Sequence, residues 1–543
     1  MSIVLAKKLR KKIEAKNKIQ GHWGQSLGSD ANGTALRRFS LILLDEKPNE
    51  IRFQFVKNQP YLTGFSRTVF ATAKRRLQAR IRSQKSEIQT QSLSGYSVLF
   101  DSFLSSDFLK SIDCTKRQRS FGHLPTFWAW LGQILNANSS CQQALSMIQS
   151  WYLNHKLPVP ACDTSSYCKA RQRVEEGFLK AIHERLTSHL RQHASENQRW
   201  NGLQLFAVDA SSVHLLDTLD NQAAFPQPYS QKLGCSTPVM GICGLVNLSH
   251  GGWETCLTMP HTRHESQAAK PLLHHLNEGD LLLGDRAFCT YEIIARSRKQ
   301  GAHVLMRLNG KRQRVLNWNQ GEKINSYERL VTWNKPFRSA LPQLSREEWE
   351  QLPEITNLCL IKLSFENRAG QKDDLIVVTT LLDHQAYDGI ELADLYARRW
   401  EIEVKLRDLK TTLDMETFAV KSPEMAVKTL WMSLIAYNLI RATMQRAGKE
   451  EQGTEPWELS FSAAINIVTT HHHQFVHLTQ TPRKKHHVWK AVLTHCLQRK
   501  LQIRPYRSEP RAVKKRPKAY PLLTKHRSIF QPIPHQKRYS KNA

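Results

Sequence analysis

Apolar positions follow no sustained period over residues 1–94, but from residue 95 onward they fall into two successive textures. Between 95 and 200 they recur at helical spacing: Phe127-Trp128-Ala129-Trp130-Leu131, then Ala144 to Ile148, then Leu179, Ile182 and Leu186. This predicts a small all-helical domain. At Leu203 the texture changes to short β-type runs, namely Leu203 to Val208, Val239 to Val246, Trp253 to Met259, Leu281 to Leu283 and His303 to Leu308. Helical stretches at Glu265 to Leu276 and Tyr291 to Lys299 alternate with them, which predicts an α/β fold with a mixed sheet.

Residues 309–385 carry further β-rich pieces (Leu330 to Trp333, Leu358 to Phe365, Leu375 to Leu382) and are too long and too patterned for a plain loop, so they read as an inserted β subdomain. One long helix is expected from about Glu391 to Thr412, followed by an apolar helix over 424–446. The resulting division is a basic extension (1–94) without an assigned role, a helical DNA-binding domain (95–200), the first part of an α/β core (201–308), the β-rich insertion (309–385), the catalytic-helix part of the core (386–446) and a basic, partly helical C-terminal region (447–543). Within the extension, Lys74 to Arg82 reads as a basic helix. Pro505 to Pro534, mixing proline with Lys and Arg, reads as an extended or disordered arm.

Charge sharpens this picture. The chain holds 78 Lys+Arg against 47 Asp+Glu, a formal net charge of +31, which favours a polyanionic partner. Residues 481–543 alone contain 18 Lys/Arg and one acid, Glu509. Charge alone fits either a solvated basic tail or a DNA-binding surface, and names a partner class, not an activity. Ten scattered cysteines without a C-x-x-C pair point to reduced thiols in a cytosolic-type compartment. No apolar run approaches the length of a membrane span, and neither a signal peptide nor a Walker A or Rossmann glycine pattern is evident.

The chemistry resides in acids. Asp209 closes the run Leu205-Phe206-Ala207-Val208, and Asp285 closes Leu281-Leu282-Leu283-Gly284, so each is expected at the end of a buried strand where the sheet meets solvent. Either alone reads equally as a turn or cap residue. On the predicted long helix, Tyr396, Arg399, Glu403 and Lys410 stand at offsets 0, 3, 7 and 14, within roughly 60° of arc at about 100° per residue. Leu395, Ile402, Leu406 and Leu409 gather on an adjacent stripe, the mark of an amphipathic helix with one packed face. Three carboxylates within ~4 Å repel one another by several kcal/mol per pair at an effective dielectric near 20, so a cluster of them calls for cations. All-oxygen ligation favours Mg²⁺ or Mn²⁺ over Zn²⁺. Two such ions suit phosphodiester displacement. The histidines at 261, 264, 471–473, 477, 486 and 487 lack zinc-site spacing, and those from 471 to 487 read as a solvated, DNA-facing basic stretch.

The set Tyr396-x2-Arg399-x3-Glu403-x6-Lys410, with Val208-Asp209-Ala210-Ser211 and Gly284-Asp285-Arg286-Ala287-Phe288 upstream, resembles the insertion-sequence-four group of DD(E) transposases. Tyr167 to Arg171 and Leu434 to Arg441 are similar to the segments flanking that family's core, so the resemblance spans about residues 95–530. It implies a ribonuclease-H-like catalytic core with two Mg²⁺ or Mn²⁺ ions on Asp209, Asp285 and Glu403, Asp209 bridging both. It also implies cut-and-paste transposition of an insertion sequence: nicking, hairpin formation and opening, and strand transfer. Tyr396, Arg399 and Lys410 would grip double-stranded DNA, at terminal inverted repeats and target alike. Trp318 or Trp333 of the insertion would stack on a flipped base. The implied partners and setting are a homodimer in the synaptic complex, associated with a bacterial nucleoid in the cytoplasm. The other reading of the same residues is a catalytically idle DNA-binding protein derived from a transposase.

Overall fold

The computed structural model describes residues 39–45, 51–57, 95–115, 121–154, 158–366, 372–450, 454–477, 481–501 and 522–530. The chain divides into two compact units, Met1–Arg80 and Ile81–Ala543. In the first, β1 (Phe39–Asp45) and β2 (Ile51–Lys57) pair antiparallel, from Phe39 against Lys57 to Asp45 against Ile51. The expected basic helix at Lys74 to Arg82 lies outside the described residues.

The second unit is built on one sheet. Its central strands are β3 (Gln204–Leu215), β4 (Val239–Asn247), β5 (Trp253–Pro260), β6 (Asp280–Gly284) and β7 (His303–Arg307), arranged β5-β4-β3-β6-β7. β4 runs antiparallel to both β3 and β5, whereas β3, β6 and β7 run parallel. A meander of three strands followed by two parallel strands on the opposite flank is the ribonuclease-H-like arrangement.

The segment expected as a separate β subdomain instead prolongs this sheet. β8 (Glu322–Lys323), β9 (Glu328–Asn334), β10 (Ile355–Glu366) and β11 (Lys372–Thr379) continue the path beyond β7 in the order β11-β10-β9-β8. The attachment is β11 against β7, with Val377 opposite Arg307. β12 (Thr417–Phe418) adds a short parallel pairing at His214 and Leu215 of β3.

The longer helices of this unit are α1 (His123–Leu135), α2 (Cys141–Asn154), α3 (Ser165–Arg173), α4 (Glu176–Gln192), α5 (Tyr291–Lys299), α6 (Gly389–Ala397), α7 (Trp400–Arg407), α8 (Pro423–Glu450), α9 (Phe461–His477) and α10 (Pro482–Leu497). The strands read as continuous apolar runs because both faces are covered, and their parity shows what covers each. Leu205, Ala207, Leu281, Leu283, Met240 and Ile242 join one core with Ile182 of α4, Ile402 of α7 and Ile435 of α8. Phe206, Val208, Leu282, Cys243 and Leu245 face a second core with Leu272, Ile293 and Ile294. α8 is buried almost all round and carries apolar residues on every side, with Asn438, Arg441 and Gln445 among its buried polar groups. The helices before and after the sheet therefore share one core with it, through α4, α8 and α10.

A buried polar tether fixes that packing. The Asn438 side chain of α8 accepts from the Trp253 backbone N–H at 2.9 Å, donates to the Trp253 carbonyl at 2.9 Å, and lies 3.2 Å from His183 Nε2 of α4. Beside it Glu254 pairs with Arg191 at 2.9 Å and with His250 at 3.3 Å. Burial alone would raise the Glu254 carboxyl, but the His250 and Arg191 partners outweigh it and hold it down at about 2.

Two departures from the sequence expectation bear on function. The stretch 391–412 is not one helix: α6 stops at Ala397, α7 starts at Trp400, and Asp408–Thr412 forms a π turn. The junction is tightened by i to i−3 bonds, Arg398 N to Leu395 O, Arg399 N to Tyr396 O and Glu401 N to Arg398 O. Hydrophobic spacing does not register such a local change in winding. Part of the C-terminal arm is docked as well. Arg527 donates to Gln227 Oε1 at 3.1 Å and to the Ser236 carbonyl at 2.7 Å and pairs with Asp217, fastening residues 522–530 to the connection between β3 and β4. Composition alone could not reveal this cluster of acceptors.

Candidate active site

β3 and β6 pair in parallel register from Gln204 opposite Asp280 to Val208 opposite Gly284. Asp209 is the next residue of β3 and Asp285 the first residue after β6, so the register brings them side by side where the strands lie about 4.8 Å apart. Parity sets their direction. Counting by twos from Leu205 and Leu281, both fall on the face that packs against α7 and α8.

Asp209 is not at a strand end, contrary to expectation, because β3 continues to Leu215 against β4. What ends at this level is β6. The continuation Ala210-Ser211-Ser212 is half-buried and polar, so the apolar run stops while the strand does not.

Each aspartate accepts a local backbone N–H, Asp209 from Ala210 at 2.8 Å and Asp285 from Ala287 at 2.8 Å. Burial pushes the Asp209 carboxyl up to about 6, with the Asp285 and Glu265 charges adding to the push and Ala210 and Arg399 opposing it. Glu265 is raised as well, by burial and by Asp285. It stands at the start of the short helix Glu265–Ala269, and sequence reading missed it. A lone acid opening a helix looks like an ordinary first-turn residue, and only the fold carries it to the aspartates.

Tyr396, at the end of α6, is buried; burial pushes its hydroxyl up to about 12, with Arg399 opposing and Asp285 reinforcing the shift. Arg399, at the junction, donates to Glu403 Oε1 at 2.9 Å, and its charge reaches Asp209 as well. Lys410, in the π turn, donates to Ser211 Oγ at 3.3 Å. Ser211 shares the parity of Asp209, so the wider turn carries Lys410 back to the strand of the first aspartate.

Asp209 and Asp285 are thus together, while Glu403 is held on Arg399. Among the described residues, no three His, Cys, Asp or Glu side chains stand close enough to hold one ion. The donor set nonetheless fits a hard divalent cation. It is all oxygen, it is partly buried, and the repulsion felt by Asp209 is opposed by the guanidinium of Arg399.

Neither tryptophan of the insertion presents a bare ring. Arg312 lies over Trp333 at 3.8 Å, and Arg329 over Trp318 at 5.2 Å. Both rings pack in part against the second core. Arg312 also acts on Cys289, as does Asp285, which puts the Trp333 side of the insertion beside the loop that follows Asp285.

Residues 200–439, which include every one of these acids and the Tyr396 to Lys410 series, match the family model described as the transposase DDE domain. The chain is 25% identical over 417 residues to the transposase InsG for insertion sequence element IS4 of Escherichia coli K12, covering 76% of this chain and 89% of that protein. Residues 200–439 thus carry a transposase DDE domain, and the chain is similar to transposases of the insertion-sequence-four group. A putative transposase for insertion sequence element IS4SA of Synechocystis is 20% identical over 58% of this chain and 79% of its own length. Among solved structures, the piggyBac transposase synaptic complex with hairpin DNA overlaps 73% of this chain and 84% of its own at 8% identity, with a TM-score of 0.39. The DDE domain makes the protein an enzyme of DNA transposition and implies DNA binding and dependence on a divalent metal. All ten cysteines are free thiols. No helix among the described residues is long and apolar enough to cross a membrane.

Proposed function

We propose that Asp209, Asp285 and Glu403 hold two Mg²⁺ or Mn²⁺ ions and that the protein uses them for cut-and-paste transposition of an insertion sequence. The observation that carries this reading is the parallel register of β3 and β6, which sets Asp209 beside Asp285 on the face covered by the Glu403 helix. Bound divalent ions supply activation of a water or 3′-hydroxyl and stabilise the leaving oxygen in phosphodiester displacement.

The chain's own residues do the rest. Arg399 occupies Glu403 in the absence of DNA; a backbone phosphate draws the guanidinium away and frees the carboxylate. Tyr396 backs Arg399 by a hydrogen bond, and Lys410, anchored on Ser211, contacts a second phosphate. Because the swap exchanges one partner of Arg399 for another, it couples loading of the site to the presence of substrate. Trp333 is the better placed of the two tryptophans for stacking on a flipped base, since its side of the insertion borders the Asp285 loop and Arg312 has only to move aside.

The helices of residues 95–200 and the basic region 447–543 supply the grip on terminal repeats and target DNA. A homodimer joins two ends in the synaptic complex, on the nucleoid in the cytoplasm. The reading is tested by nicking of DNA bearing the element's ends in Mg²⁺. Asp209→Asn, Asp285→Asn and Glu403→Gln are each expected to abolish nicking while leaving gel-shift binding in place. Full nicking by any one of them removes that residue from the triad, and absence of nicking by the wild-type protein with end binding intact leaves the idle DNA-binding protein as the better reading.

A further inference from the structure

A cavity of about 230 Å³ lies between the C-terminal ends of α4 and α8 and the middle of α10. It shares no residue with the carboxylate site. Arg191, in the last turn of α4, reaches Glu254 at the beginning of β5 and acts on Asp280 at the beginning of β6. The cavity is therefore at the end of the sheet where β6 starts, and Asp285 is at the end where β6 stops.

Its lining is cationic and aromatic. His189 and His193 of α4 stack at 4.1 Å, with His193 Nδ1 donating to the His189 carbonyl at 2.9 Å. Arg446 and Lys449 project from the last turns of α8, and Arg185 is close enough to act on His189. Phe103 and Trp489 form the aromatic wall, edge to face at 5.8 Å. The acid facing this group is Glu450, at 3.6 Å from Arg446 on the exposed side. Burial, then the charges of His193, Arg185, Lys449 and Arg446, hold the His189 imidazole down at about 4, as expected where positive potential exceeds its compensation.

Gln445, 2% exposed, closes the inner wall of the cavity, its Nε2 donating to the Leu190 carbonyl at 3.1 Å. The approach is basic too: Arg483, Lys484, Lys485 and Lys490 are exposed on α10, which leads to Trp489.

We propose that this cavity binds one nucleotide of a DNA strand, its phosphate between Arg446 and Lys449 and its base against Trp489. The volume admits a nucleotide-sized group and little more, and the basic face of α10 carries the strand on either side. The site would give the transposase a hold on DNA remote from the carboxylates. It rests on the transposase reading, yet it is separable from it, because binding is measured without metal.

The test is fluorescence anisotropy with the full-length protein and labelled 30-nucleotide DNA, single-stranded and duplex, across a salt series without divalent ions. Arg446→Ala/Lys449→Ala is expected to weaken binding about tenfold and to flatten the log K against log salt slope by about 1 to 2, as loss of two phosphate contacts requires. Arg446→Lys/Lys449→Arg should restore most of the affinity. Lys180→Ala/Arg346→Ala, which removes two charges from exposed ion pairs elsewhere, should have a smaller effect. Equal losses in the two alanine pairs, or no loss in a folded Arg446→Ala/Lys449→Ala protein, overturn the proposal. So does a site that takes up deoxynucleoside monophosphate in calorimetry while DNA affinity is unchanged by the same pair of substitutions, since that identifies a free-nucleotide pocket. Because no metal is present, none of these failures touches the triad, and loss of nicking in a triad variant leaves this result standing.

Discussion

The two halves of the candidate active site are held in opposite ways. Asp209 and Asp285 come from adjacent parallel strands with apolar residues on both sides, and the backbone register determines their separation. Glu403 comes from a helical segment broken after Ala397 and widened after Arg407, and its carboxylate is engaged by Arg399 four residues earlier. The difference teaches that the sheet side is fixed by backbone register and the helix side by a side-chain ion pair; on the proposed reading the strand pair would hold the cation and the helix would complete the set. π turns and tightened junctions recur at functional positions because they reorient a few side chains without disturbing the packing on either side.

The largest effect should come from attacking the rigid half. Asp209→Asn or Asp285→Asn should lower the nicking rate by about 10³-fold or more, and Mn²⁺ titration should show weakened metal binding with or without DNA. Glu403→Gln is expected to differ in kind, lowering nicking as far but weakening Mn²⁺ binding chiefly when DNA is present. Identical metal titrations for all three variants would erase the contrast between sheet and helix.

Next in size is the tether that keeps the sheet rigid. Glu254→Gln leaves Arg191 and His250 without their buried partner and should cost about 3–5 kcal/mol in urea unfolding at neutral pH. The wild-type carboxyl sits at about 2, below its ordinary 4.5, so its stabilisation is complete above pH 4.5 and is lost as the pH falls toward 2. The variant should therefore show a shallower loss of stability over that window. An unchanged profile would remove Glu254 from the supports of the fold.

A smaller effect probes the helix half. Arg399→Ala frees Glu403 and should raise affinity for Mn²⁺ in the absence of DNA by about fivefold or more, while abolishing the further gain on adding DNA. Unaltered affinity in the absence of DNA would show that Arg399 does not restrain Glu403. Lys410→Ala should be milder still, flattening the salt dependence of end binding by about one unit of slope; an unchanged slope would assign Lys410 to its contact with Ser211 alone.

How much of this was legible in the sequence follows the same division. Strands β3 to β7 could be read from runs such as Leu205 to Val208 and Leu281 to Leu283, because a strand buried on both faces leaves an unbroken apolar signal. The order of the two aspartates and the Tyr396 to Lys410 spacing then sufficed to name the candidates. What could not be read depends on contacts distant in sequence or on backbone winding. Glu265 reaches the aspartates only through the fold, Ser211 meets Lys410 across 199 residues, and the break at Arg398 leaves the amphipathic pattern intact. Similarly, β9 to β11 were visible as strands, but their fusion to the central sheet depends on a single pairing, β11 with β7.

The central claim is that Asp209, Asp285 and Glu403 act as one metal-binding set completed on DNA. Its most direct test is calorimetric titration of Mn²⁺ into the full-length protein bound to DNA carrying the element's ends, for wild type and for the Asp209→Asn, Asp285→Asn and Glu403→Gln variants. The account predicts two bound ions in wild type and a loss of tight binding in each variant. Wild-type stoichiometry and affinity in any one of the three would contradict it.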